Sequence, residues 1–186
     1  MEEQHEHTLA LINSIFESGD IAPLKSAVEG MKAPDIAEIM EVFPAERHVA
    51  LFGVLEVETA SEVLSLLQES TARDVLANLE ESTIVRLVEL MASDDAADVL
   101  NLLPPDQVQS VLGKISREEY EDVSVLLKFD EESAGGLMAR EVMTVRGEMK
   151  IREVIDLLRA EADNIAQIQN IYVVDRKKIL LGQIPI

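Results

Sequence analysis

Two aspartates four residues apart, Asp94 and Asp98 in the run Ser93-Asp-Asp-Ala-Ala-Asp98, are the residues of this sequence best placed to do chemistry. On a helix that spacing is one turn and puts both carboxylates on one face. Like charges so placed cost a few tenths of a kcal/mol in an isolated helix. A cation held between or beside them relieves that cost. Asp94 also stands where a helix N-cap belongs, and acids in a first turn suit the helix dipole; capping and cation binding are both open to it. Asp98 lies too late for a cap and reads as a ligand in preference to solvated surface. Asp95 reads as first-turn surface.

Other chemistry finds no foothold. The chain has no cysteine, which excludes disulfides, thiolate nucleophiles and cysteine-bound zinc. There is no Ser/His/Asp ordering, no phosphate loop and no histidine-rich metal motif. His5 and His7 flank an acidic terminus and read as incidental, and His48 reads as a repeat-surface residue. Gly135-Gly136 reads as a hinge or turn. The expectation is a protein that is not an enzyme.

The elements that must position the aspartates come from an internal repeat of 12 residues. Stepping by 12 from Met31 gives Phe43, Leu55, Leu67, Leu79, Met91, Leu103, Ile115 and Leu127, all large and apolar. The slot four residues earlier reads Ile39, Leu51, Val63, Val75, Leu87, Val99, Val111 and Val123. The slot after that is apolar from Met40 to Leu112 and fails at Ser124. Within each unit these positions make one helical stripe. Pro44, Thr59, Ser70-Thr71, Ser82-Thr83, Ser93-Asp94, Pro104-Pro105 and Ser116 punctuate the units, their hydroxyls suited to helix caps, and Ser116-Arg-Glu-Glu119 is a capping box. Helices of about 8 residues do not survive alone in water, so two units form an antiparallel pair and pairs stack into an α-solenoid, right- or left-winding. Helices near 7–18 and 21–31 cap its N-terminal end. Asp98 belongs to a slot that reads Glu38, Ala50, Glu62, Asp74, Arg86, Asp98, Ser110 and Asp122, an acidic stripe beside the core. Taken alone, that stripe reads as a solvated face.

The pattern changes after Phe129. A connector, Asp130-Glu-Glu-Ser-Ala-Gly-Gly136, leads to a strand at Val142–Val145, a helix at Ile151–Glu161 and strands at Ile171–Val174 and Ile179–Ile184 joined by Asp175-Arg-Lys-Lys178. This β-α-β-β order stops where a covering second helix is expected. One sheet face then lies open, and the domain is expected to continue beyond Ile186.

Composition bounds the rest. Of 186 residues, 47% are apolar and 3% aromatic, a balance that favours packed helices over a β-sandwich. No run approaches the roughly 20 apolar residues that cross a bilayer, and the acidic N-terminus resembles no secretory signal; the residues read as cytosolic. The net charge is −20, and residues 1–129 hold 26 acidic against 8 basic side chains, a net of −18. Such a field attracts cations and repels nucleic acid, so no nucleic-acid partner is expected.

The acidic 12-residue repeat, Asp94-Asp-Ala-Ala-Asp98, the junction Ser133-Ala-Gly-Gly-Leu-Met138 and the β-α-β-β unit with Ile171-Tyr-Val-Val-Asp175 together resemble the MgtE family of magnesium transporters, from about residue 35 to the end. The resemblance implies an acidic helical-repeat domain over 1–132, a connector over 133–137 and part of a first CBS domain over 138–186. It implies the cytosolic region of an integral membrane protein, at the cytoplasmic face, that closes its pore when intracellular Mg²⁺ is high. It implies a homodimer formed through CBS domains, with the second CBS domain and the transmembrane domain of the same chain as partners. Asp94 and Asp98 match the family's two aspartates, and Ala60-Ser-Glu62-Val-Leu matches the helix that contributes an acidic ligand. Glu62, Asp94 and Asp98 are therefore the expected Mg²⁺ ligands. The turn Arg176-Lys177-Lys178 departs from the acidic or glycine-containing turn usual in the family. Two other readings stand beside this one: an interaction scaffold like the helical repeats of flagellar motor-switch proteins, and a CBS sensor of adenine nucleotides.

Overall fold

A computed structural model describes residues 2–130, 133–140, 142–161 and 170–185. The side chains of residues 2–6, His5 among them, and Glu131 and Glu132 of the expected connector lie outside the described residues. The chain divides into two compact units, Met1–Met138 and Ala139–Ile186.

The first unit is helical throughout its described elements: α1 Glu2–Ser18, α2 Leu24–Val28, α3 Ala33–Val42, α4 Ala45–Phe52, α5 Val57–Leu66, α6 Glu69–Leu76, α7 Glu81–Val88, α8 Ser93–Asn101, α9 Pro105–Leu112 and α10 Arg117–Leu126. From α3 onward there is one helix per 12-residue unit, as the repeat predicts. The two central apolar slots explain why. Ile39, Leu51, Val63, Val75, Leu87, Val99, Val111 and Val123 are all buried, and so are Met40, Phe52, Leu64, Leu76, Val88, Leu100 and Leu112. At 8–10 residues, none of these helices holds together without that shared core. Helices two apart stack: α3 on α5, α5 on α7 and α7 on α9, with α4 on α6 and α8 on α10. The third slot lies just past the helix ends, where Phe43, Leu67, Leu103 and Ile115 fold back into the core. α1 is longer than expected and α2 shorter. Gly19 and Gly30, each at φ 75°, let the chain turn behind them in the left-handed region that costs other residues strain.

The caps differ from the expectation. Ser116 caps α10 through its hydroxyl, which accepts from the Glu119 N–H at 3.2 Å, as the capping box predicts. Elsewhere the hydroxyl residues fall inside the first turn, and the N-cap positions of α5, α6, α7 and α8 are Glu56, Gln68, Glu80 and Ala92, none with a side-chain cap bond. Carboxylates from other helices serve two of the helix starts, those of α6 and α10. Glu41 of α3 accepts from the Gln68 N–H at 2.7 Å and from the Thr71 hydroxyl at 2.8 Å, and Glu89 accepts from the Ser116 N–H at 3.1 Å.

His48 is a second correction. Its side chain is buried, with only 4% of the residue exposed, and does not sit on the repeat surface. It occupies a slot in which Ile36, Ala60, Ala72, Ile84 and Ala96 are buried, Val108 is half-buried and only Tyr120, in the last helix of the stack, is exposed.

In the second unit, β1 Thr144–Arg146, α11 Ile151–Glu161, β2 Asn170–Val174 and β3 Leu180–Pro185 follow in the expected β-α-β-β order. The sheet order is β1-β2-β3, with β1 parallel to β2 and β2 antiparallel to β3. Met143, Val145 and Ile171 are buried against Val154, Leu157 and Leu158 of α11. Leu180, Leu181 and Ile184 of β3 stay exposed. Asp175 shapes the β2–β3 turn by accepting from the Lys177 and Ile179 N–H groups at 2.8 and 2.9 Å, and Lys178 takes φ 62°. The basic turn has a structural use: Arg176 donates to both carboxylate oxygens of Glu148, before α11, at 3.2 and 2.8 Å.

Candidate metal centre

α5 and α8 carry the three expected ligands and pack directly on one another. α5 turns Ala60, Ser61, Val63 and Leu64 inward, which leaves Glu62 exposed. The Ser61 hydroxyl donates to the Leu87 carbonyl at 3.0 Å and fixes the rotation of α5 against α7. α8 buries Ser93, Ala96, Ala97, Val99 and Leu100. Small alanines on that face allow close approach, and Asp98, between buried Ala97 and Val99, faces outward, exposed.

Asp94 is not the N-cap. That position is Ala92, so Asp94 lies in the first turn, where its charge still suits the helix dipole. It is half-buried, and its Oδ1 is shielded from solvent without a hydrogen-bond partner. A buried carboxylate oxygen in that condition costs on the order of 1–3 kcal/mol, a cost that a cation or a cation-bound water removes.

Asp98 is brought together with residues that the spacing alone does not single out. A groove of about 220 Å³ runs between the end of α5, the start of α6 and α8; Ser65, Glu69, Asp95 and Asp98 supply its polar lining and Leu64 and Leu102 part of its apolar wall. Asp95 is half-buried at this groove and not plain surface. The i, i+3 spacing of Asp95 and Asp98 is the signal that marks it. Glu69 is held by Arg73, which donates at 3.0 and 2.7 Å and also to the Leu102 carbonyl at 2.7 Å. Asp94 and Glu62 do not line the groove. Among the described residues, no three carboxylate or histidine side chains converge as a metal cage. The donor set is nonetheless the one Mg²⁺ takes: hard oxygens, one or two carboxylates, and water for the remaining positions.

Residues 31–132, more than half of the chain, match the sequence pattern described as the MgtE intracellular N domain. The chain belongs to the MgtE family. A curated relative, the magnesium transporter MgtE of Thermus thermophilus, is 43% identical over 61 residues, which span 33% of this chain and 14% of that protein's length. The fold matches the crystal structure of the cytosolic domain of the Mg²⁺ channel MgtE in complex with ATP, at 27% identity and a TM-score of 0.84 over 96% of this chain and 73% of that one. It also matches the soluble part of a magnesium transporter, at 22% identity and a TM-score of 0.78 over 97% of this chain and 72% of that one. Membership of MgtE accounts for the acidic helical repeat and places residues 31–132 in an intracellular domain. Among the described residues, no helix is long and apolar enough to cross a membrane.

Proposed function

We propose that this chain is the Mg²⁺-sensing part of the intracellular region of a magnesium transporter, with Glu62, Asp94 and Asp98 as its share of the Mg²⁺ ligands. Its β-α-β-β unit is the first part of a CBS domain through which two copies pair. The observation that carries the reading is the packing of α5 on α8, which sets these carboxylates on two helices in contact within an MgtE intracellular domain. That membership favours a transport role over a motor-switch scaffold, and a regulatory role over catalysis.

The mechanism is electrostatic. A unit with a net charge of −18 over residues 1–129 repels other carboxylates across about a Debye length, near 8 Å at physiological salt. Mg²⁺ bridging the gap converts that repulsion into attraction and favours a closed arrangement. The side chains of Glu62, Asp94 and Asp98 supply the charge, and the buried core of α5 and α8 holds them in place without reorganisation. Because Mg²⁺ binds the folded protein, it stabilises it by about 1.4 kcal/mol per site at tenfold excess over Kd.

Thermal unfolding with Mg²⁺ against NaCl of equal ionic strength tests this. Mg²⁺ raises Tm beyond the NaCl control in the wild-type chain, and the combined substitutions Glu62→Gln, Asp94→Asn and Asp98→Asn remove the difference. A triple variant that keeps the full Mg²⁺ response sinks the ligand assignment.

The relative solved with ATP supports a second reading, in which the β-α-β-β unit contributes to an adenine-nucleotide site. Calorimetry with ATP and with MgCl₂, on a chain extended through both CBS domains, separates the two. Heat from ATP in the absence of Mg²⁺ favours the nucleotide reading.

A further inference from the structure

The histidine buried in the helical unit has half of its hydrogen-bonding capacity unused. His48 Nε2 lies 2.8 Å from the Phe43 carbonyl oxygen, which only accepts, so Nε2 carries the proton and donates. Nδ1 is therefore the bare nitrogen of the neutral ring. It is shielded from solvent, has no hydrogen-bond partner, and lies 3.7 Å from Asp74 Oδ2 on α6. A lone pair facing a carboxylate is a poor arrangement, and the neutral ring has no way to improve it.

The geometry selects the species that fits between the two atoms. A water bridging them in good geometry needs a span of about 4.5 Å, from two bonds of roughly 2.8 Å. A metal ion lacks further ligands, since no cluster of three converges among the described residues. A proton on Nδ1 fits: it makes the nitrogen a donor aimed at an acceptor, and closing the gap by under an ångström completes a charge-assisted bond. The other charged groups on the packed elements are committed elsewhere. On α6, Arg73 is bonded to Glu69 and to the Leu102 carbonyl. On α3, Glu41 is bonded to the start of α6. On α4, Arg47 donates to Asn13 at 2.7 Å and lies over the rings of Phe16 and Phe43 at 4.8 and 5.2 Å, while Glu46 is exposed in the first turn. Among the described residues, Asp74 is the charged group that faces the ring.

We propose that His48 is a proton-operated latch between α4 and α6: on taking up a second proton at Nδ1 from solvent, it donates to the Asp74 carboxylate and ties the two helices together. The Asp74 side chain is 48% exposed, so the proton reaches the buried nitrogen through a small local opening. The latch is closed in acid and open in alkali. It makes the N-terminal half of the helical stack sensitive to intracellular acidity. It stands apart from the magnesium reading, whose ligands lie on α5 and α8.

Nitrogen-15 NMR of the histidine side chains in the 186-residue chain tests it directly. At about pH 8, His48 shows the tautomer protonated on Nε2, and at about pH 5 both nitrogens carry protons. In Asp74→Asn, a substitution at a half-exposed site with little risk to folding, the second protonation shifts to lower pH. A double-mutant cycle of His48→Gln and Asp74→Asn in urea unfolding shows a roughly 2- to 10-fold coupling at about pH 5 and loses it at about pH 8. A proton on Nδ1 in alkali, an Asp74→Asn titration that superimposes on wild type, or equal coupling at both pH values overturns the proposal.

Discussion

At the scale of single residues, the carboxylates divide between a structural duty and the proposed one of holding Mg²⁺. Glu81 illustrates the structural one: it accepts from the Ser110 hydroxyl at 2.8 Å and pairs with the Lys114 ammonium, both on or just past α9. The hydrogen bond from Lys114, then that from Ser110, holds the Glu81 carboxyl below its ordinary value of 4.5 against the opposing effect of desolvation. Since the folded value is the lower one, the contribution is present above pH 4.5 and is lost as pH falls through the folded value. Urea midpoints measured across the acid range are expected to fall less steeply below that point in Glu81→Gln than in wild type. The effect is small, as for other surface pairs. Asp94 and Asp98 stand for the proposed one. Their shared helix is legible from spacing alone. The groove that joins Asp98 to Asp95 and Glu69 is not, because it is made by the packing of α5, α6 and α8. His48 is missed for a related reason. Its polarity suggests surface, whereas the buried Ile36, Ala60, Ala72, Ile84 and Ala96 of the same slot give its burial away.

At the scale of elements, burial follows the 12-residue repeat because the same two slots of each helix from α3 to α9 face the shared core. Caps follow it only in part. Glu41 lies 27 residues before the backbone N–H it serves, and Glu89 lies 27 before Ser116, so the partner belongs to a different helix pair. Hydroxyls near each helix start suggest self-capping, but their positions within the first turn put them past the cap. Glu41→Ala leaves the Gln68 N–H and the Thr71 hydroxyl without their acceptor. The expected loss is about 1–2 kcal/mol in denaturant unfolding, comparable to the removal of an N-cap, and Glu41→Gln is expected to recover part of it.

At the scale of the whole molecule, the two units differ sharply in what they bury. The helical unit has a continuous core from Ile12 to Leu126, whereas the buried core of the second unit is Met143, Val145 and Ile171 among the described residues. Leu180, Leu181 and Ile184 are 59%, 62% and 46% exposed, so β3, at the edge of the three-stranded sheet, gains little from burial. Amide hydrogen exchange is therefore expected to reach β1, β2 and β3 through local opening well before α7, whose Leu87 and Val88 lie at the centre of the stack. Equal protection in both units contradicts this. The order of the sheet and its crossover helix is legible in sequence, because a polar turn and two apolar runs specify a hairpin. The use of Arg176 is not, because Glu148 lies 28 residues away.

The alternation of stacking partners sets a rule for how this fold can change length in evolution. Since α3 leads to α5 and α4 to α6, an insertion or deletion of 24 residues hands each downstream helix a neighbour of its own kind. One of 12 puts every later helix out of phase and offers it the wrong side of the stack, so lineages of this architecture are expected to lengthen and shorten two helices at a time.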